Sequence, residues 1–185
     1  MKIPSKLDIK IAPNFKLYEY CYSNTAKEWV YPEPIQFWLV QKHAFHIMQP
    51  IRDAWGEIRI NSGIRTRTII AALKRAGNAV SEHTDHSFLD PHVNRWGTGA
   101  ADFYPAEAKI ADVWSWIVQR VRSGKLDVGQ AIFYPARNVI HISNPHSLLY
   151  SQGFSESLNR WGLAHHDQKL LISRDPGVYE AVESP

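Results

Sequence analysis

Apolar residues between positions 34 and 55 fall at helical spacing. Val40, Ala44, Ile47, Met48, Ile51 and Trp55 recur at steps of three and four, which places them on one buried face. Pro50 sits inside this run. It has no N–H and its ring crowds the preceding turn, so it predicts a kink or break there. Residues 57–61 alternate instead, with Ile58 and Ile60 to one side, the period of a short strand. Ser62-Gly63 turns the chain into a second helix over 66–75, which Gly77 closes. The plainest helix follows Pro105, where Ile110, Val113, Trp114, Ile117, Val118 and Val121 share a face. Short strands are expected at 99–104, 129–134 and 138–143, the last two joined by Pro135-Ala136-Arg137.

The remaining segments carry no clear period. Residues 1–13 read as a lead-in ended by Pro13-Asn14, and 78–98 as a long loop rich in Asn, Ser, Asp, Pro and Gly. A structureless stretch of that length inside a small domain is usually functional. Beyond Pro145 the pattern weakens, so 146–185 reads as a C-terminal extension, an arm with one short helix. The expected architecture is α+β: one domain over 1–145, a small antiparallel sheet packed with helices, and the arm appended.

Composition narrows the function classes. Aromatic residues make up 12% of the chain, with seven Trp, which excludes a disordered polypeptide. The set Trp38, Trp55, Trp114 and Trp116 reads as packing, whereas Trp96 and Trp161, outside regular elements, read as partner contacts. A net charge of +3 suits an anionic surface such as a cell wall. Without any Lys/Arg block it does not argue for nucleic acid. The first ten residues lack an apolar signal core and no stretch is long enough to span a bilayer, so no membrane partner is expected. The expectation is synthesis in a cytoplasm without a signal peptide, with delivery to a wall left to another agent.

Cys21 is the sole cysteine, so neither an internal disulfide nor a cysteine zinc cluster is available. A metal would have to be held by histidine and carboxylate, with one position left for water. Three segments carry suitable residues: 60–66 with Arg65; His83 with Asp102 further on; and 133–142 with His141. Arg65 suits a carboxylate because a guanidinium can hold it in two parallel hydrogen bonds. His86 and His92 are further side chains able to bind a metal, while His165-His166-Asp167, also of that type, reads first as an exposed polar turn.

Several of these segments, in order, resemble the zinc D-Ala-D-Ala carboxypeptidase family of the Hedgehog-type fold, which includes phage endolysins and wall endopeptidases. Phe15, Glu19, Ser23 and Thr25-Ala26 resemble the family's opening helix. Gln49-Pro50-Ile51-Arg52-Asp53 and Asn61-Ser62-Gly63-Ile64-Arg65-Thr66 resemble its helix and following turn. Ser81-Glu82-His83, Ala100-Ala101-Asp102 and Tyr134-Pro135 with Val139-Ile140-His141 resemble the segments that deliver its ligands. The resemblance implies Zn2+ held by His83, Asp102 and His141, with Arg65 on the substrate carboxylate or the transition state. It also implies hydrolysis of a peptide bond next to a D-amino acid in peptidoglycan.

The chain departs from that pattern in four places. The interval from His83 to Asp102 is longer than the family's, which leaves His86 or His92 open as the first ligand. Thr98 stands where the family has Gly, and Ser143 where an Asp often follows the last ligand. Asn138 occupies the catalytic position of the family's acidic base, and an amide there forgoes a contribution of roughly 10²–10⁴-fold. Two functions are therefore expected as alternatives. One is a phage-type peptidoglycan peptidase. The other is a peptidase-fold component of a virion tail or baseplate, bound to other virion proteins through the C-terminal arm.

Overall fold

A computed structural model describes residues 2–78, 80, 84–88, 99–145, 169–175 and 178–182. The N-terminal lead-in and the segment after it form two small antiparallel pairs: β1 (Lys10–Ala12) with β2 (Phe15–Lys16), and β3 (Tyr22–Ser23) with β4 (Glu28–Trp29). The expected opening helix is not there. Leu17–Tyr20 makes a single 3-10 turn, and the chain then folds back as the β3–β4 hairpin. Tyr22 sits opposite Trp29, ring centroids 4.8 Å apart, and Ser23 Oγ accepts from Ala26 N–H inside the turn. This cross-strand ring pair and the polar turn favour a hairpin over a helix.

Helix α1 (Pro34–His43) begins with a reciprocal cap. Pro34 opens the first turn, and Glu33 N–H donates to Gln36 Oε1 while the Glu33 side chain accepts from the Gln36 backbone. The helical path runs on through a π turn (Ala44–Met48) into α2 (Gln49–Trp55). The expected break at Pro50 thus appears one turn upstream, as a widening. Gln49 N–H reaches back to Ala44 C=O, which gives the Pro50 ring room without ending the helix.

After β5 (Ile58–Ser62), Thr66 caps α3 (Arg67–Arg75) by accepting from Ile69 N–H, and Gly77 closes it at φ +80°. Next come β6 (Ala100–Pro105), α4 (Ile110–Arg122), β7 (Gln130–Tyr134) and β8 (Val139–Ser143), each within a residue or so of its expected bounds apart from the start of α4. Residues 169–175 and 178–181, expected in the C-terminal extension, join the sheet as β9 (Lys169–Asp175) and β10 (Val178–Ala181). The six-stranded order is β10-β9-β7-β8-β6-β5. All pairs are antiparallel except β7 with β9, so the sheet is mixed rather than wholly antiparallel. The mixed helix-and-sheet composition is α+β.

Alternation along the strands sorts the two faces. Ala101, Phe103, Ile140 and Ile142 join Leu39, Ile47, Ile51, Val113 and Ile117 in one core, so α1, α2 and α4 cover that face. Trp114 of α4 stacks on Phe133 of β7 at 5.7 Å, and Trp38, Trp55 and Trp116 pack against the same core. Asp102 and His141, one residue out of phase, belong to the opposite face. Among the described residues no helix is long and apolar enough to cross a membrane.

Candidate metal centre

Asp102 of β6 and His141 of β8 stand directly opposite each other in the sheet. Their separation, His141 Nδ1 to Asp102 Oδ1, is 2.9 Å. On the other side of β6 the register slips between Ile60 and Ser62, so that Ser62 rather than Asn61 faces Asp102. Such a bulge re-aims a side chain. Here it turns the Ser62 hydroxyl inward, where Oγ accepts from Arg65 Nε at 2.9 Å. Arg65 Nη2 then donates to Asp102 Oδ2. The carboxylate is divided: Oδ2 goes to the guanidinium, and Oδ1 faces the imidazoles.

The second imidazole is His86, whose Nε2 lies 3.2 Å from the same Oδ1. It comes from a 3-10 turn (Asp85–Ser87) that Thr84 caps, and the turn is fastened on several sides. Arg65 N–H donates to His86 C=O at 2.9 Å, Gln36 Nε2 donates to Ser87 C=O at 2.9 Å, and Gly99 N–H donates to Asp85 C=O at 3.0 Å. Phe88, next along, is fully buried at φ +49° and meets Tyr20 and His43 edge to face. A bulky side chain in that backbone region is costly, and its burial holds it there. Gly99 faces it, because a Cβ at that position would overlap the Phe88 ring.

His86 Nδ1 donates to Gly63 C=O at 2.8 Å, since a carbonyl can only accept. Gly63 itself is required by close approach: a Cβ there would lie 2.6 Å from Tyr20 Cα, and Tyr20 C=O is already taken by Ile64 N–H at 2.8 Å. Gly63→Ala must therefore push the turn off its seat. The expected result is a loss of about 1–3 kcal/mol in chemical denaturation. Because Gly63 C=O orients His86, metal affinity in a competition titration should also weaken by roughly 10–100-fold.

The electrostatics keep Asp102 ionised beside two imidazoles. Burial favours the neutral form of His86 and so lowers its pKa, and the neighbouring Arg65 charge lowers it further. In the neutral ring the single proton is on Nδ1, committed to Gly63. Nε2 is then a bare lone pair 3.2 Å from a carboxylate oxygen. Burial raises the pKa of Asp102, but His86, Arg65 and the hydrogen bond from His141 outweigh it and hold the carboxyl well below its usual range. A proton on His86 Nε2 or a cation between the two groups each satisfies this contact, and it is the charged imidazole that lowers the Asp102 pKa. The ligand atoms of His86, Asp102 and His141 all lie within 4.8 Å of one another, so this cluster can hold a metal ion. Ligands on one tetrahedral zinc stand about 3.3 Å apart, close to the His86–Asp102 spacing. A ligating His that donates its second nitrogen to a backbone carbonyl is the usual supporting arrangement.

Of the side chains expected from the sequence, Arg65, Asp102 and His141 converge here. His83 and His92 lie outside the described residues, as do Thr98, Trp96, Trp161 and the His165-His166-Asp167 turn. His86, one of the alternatives for the first ligand, is the histidine that completes the described cluster. Asn138 sits exposed at φ +52° after the Pro135–Arg137 turn, a backbone position that Asn tolerates well. Ser143 is buried and its Oγ accepts from Gln130 N–H at 2.9 Å, which ties β8 to β7.

Sequence reasoning missed Tyr20 and His43. Tyr20 Oη donates to His43 Nδ1 at 3.0 Å, and His43 Nε2 donates to Ile142 C=O at 3.0 Å, bracing β8 one residue past His141. The signal for His43 was its place three and four positions after Val40 and Leu39, on the buried face of the helix. Compared with family models, curated proteins and solved structures, the chain matches none.

Proposed function

We propose that this protein is a zinc-dependent peptidase of the Hedgehog/D-Ala-D-Ala peptidase fold, acting on peptide bonds next to D-amino acids in peptidoglycan and encoded by a phage. The observation that carries the reading is the convergence of His86, Asp102 and His141 with the His86 tautomer fixed by Gly63 C=O. The donor set of two imidazoles and one carboxylate is that of a catalytic zinc site with a further position for water. What a zinc ion supplies when bound is Lewis acidity, which brings water to a pKa of about 7 and polarises a peptide carbonyl.

The protein's own side chains do the positioning. Arg65 presents Asp102 through one oxygen only, and Ser62 fixes the plane of the guanidinium. These two bonds use two of the five N–H donors of Arg65, which leaves capacity for a substrate carboxylate or an oxyanion on the same side chain. The amide at Asn138 favours the second reading, a virion structural component that keeps the fold without full turnover.

One experiment separates the two. Wild type is expected to carry one zinc per chain and to release peptide from purified wall sacculi, while His141→Ala does neither. Equal release by both proteins would sink the peptidase assignment. Stoichiometric zinc without release by wild type would favour the structural role.

A further inference from the structure

The turn that carries His86 is tied down on both sides of the ligand, by different means. Before it, Asp85 C=O accepts from Gly99 N–H at 3.0 Å, and Gly99 C=O accepts from Asn144 N–H at 2.8 Å, so main chain joins the turn to the end of β8. After it stands Ser87, fully buried. Its N–H is spent inside the turn on Thr84 C=O at 3.1 Å, and among the described residues its hydroxyl has no hydrogen-bond partner. The hydrogen bond that ties Ser87 outward is made by its carbonyl, which accepts from Gln36 Nε2 at 2.9 Å across a separation of 51 residues.

Gln36 is committed at both ends. It is 7% exposed, and its Oε1 accepts from Glu33 N–H at 3.0 Å at the start of α1. Only an amide can accept at one end and donate at the other; a carboxylate of the same length can only accept. The same buried face of α1 braces the strand that bears the other histidine. Leu39 C=O accepts from Asn144 Nδ2 at 3.2 Å, and His43 Nε2 donates to Ile142 C=O at 3.0 Å. Gln36 and His43 are two helical turns apart, about 10 Å along the axis. One helix therefore holds the residue after His86 near its start and the residue after His141 near its end. The two imidazoles it frames have ring centroids 5.1 Å apart.

We propose that Gln36 is a positioning residue of the metal centre, which holds the His86 turn at ligating distance from β8 through Ser87 C=O. It acts through the turn rather than on the metal. The inference rests on the metal reading of His86, Asp102 and His141, and not on the reaction assigned to them. With the donor gone, Ser87 C=O is left buried without a partner, and the turn can swing about its tie at Asp85. His86 then presents its Nε2 off line, and affinity falls as it does when the supports of other metal ligands are removed.

The test compares the full chain as wild type, Gln36→Glu and Gln36→Met. Zinc affinity is read by competition with a chromophoric chelator, and site geometry by the visible spectrum of the cobalt(II) form. Gln36→Glu keeps the acceptor for Glu33 N–H and loses the donor. Gln36→Met loses both without placing a charge in the interior, so it carries the comparison even where the charged variant fails to fold. Both should bind zinc about tenfold or more weakly than wild type. Their cobalt bands, strong for a four-coordinate ion, should weaken or shift. Val121→Ala, a truncation of a buried side chain on α4, controls for lost stability alone. It should unfold at lower urea yet keep wild-type affinity and spectrum. Wild-type affinity in Gln36→Met, or an equal loss in Val121→Ala, rejects the role of Gln36 and leaves the metal centre standing. A wild type that binds neither zinc nor cobalt overturns both. The comparison needs no turnover, so failure of the peptidase reading leaves it intact.

Discussion

Asp102→Ala is expected to cost about 3–5 kcal/mol of folding stability and to abolish metal binding, and the two losses have different causes. Asp102 and Arg65 are each roughly 15% exposed and form a direct ion pair. Removing one partner of such a pair leaves the other charge poorly solvated, with a penalty of that size. The metal is lost because the same carboxylate supplies the oxygen between His86 and His141. The double variant Asp102→Ala/Arg65→Met separates the two effects. It removes the stranded cation and should recover most of the stability while still binding no metal. Urea unfolding and metal content per chain measure both quantities. A single variant within about 1 kcal/mol of wild type would mean that the ion pair does not form in solution.

How far the sequence foretold this arrangement depends on how local each signal is. The α3 and α4 helices and the strands β5 to β8 were legible because their apolar period is carried within one segment, and caps such as Thr66 and Gly77 mark their ends. The π turn before Pro50 was not. The chain can end a helix or widen it, and burial of Ala44, Ile47 and Met48 decides for widening. The strands β9 and β10 were also missed, because Leu170 to Ile172 is a short apolar run whose partner, β7, lies some forty residues away. In the site, Asp102 and His141 were readable from motifs on strands. Which loop histidine joins them was not. His86 faces inward because Phe88 is buried, Gly99 makes room for its ring, and Gly63 offers a carbonyl. These are three-dimensional facts that spacing does not carry.

The buried chain from Tyr20 to His43 to Ile142 predicts a pH dependence of stability distinct from that of the centre. His43 is fully buried, and burial outweighs the hydrogen bond to Ile142 C=O and lowers its pKa to about 3. In the unfolded chain a histidine titrates near 6.5. Below that value the unfolded state takes up a proton that the folded state refuses, so stability is fully present above about 6.5 and falls as the pH drops toward 3. The slope is about 1.4 kcal/mol per pH unit, or roughly 3 kcal/mol between pH 6.5 and 4. Asp102, held low, adds its own loss only below the ordinary carboxylate range, and His86, also lowered, adds a loss of the same sign as the pH falls below its ordinary value. The contribution of His43 is isolated by His43→Gln, whose amide can accept from Tyr20 O–H and donate to Ile142 C=O without titrating. In urea denaturation with chelator present, the variant should lose about 3 kcal/mol less than wild type between pH 6.5 and 4. Parallel losses would show that His43 is not held neutral in the core. Because Ile142 follows His141 on β8, acid unfolding takes away the brace behind a ligand. Metal retention in acid should then fall along with the fold in wild type and persist to lower pH in His43→Gln.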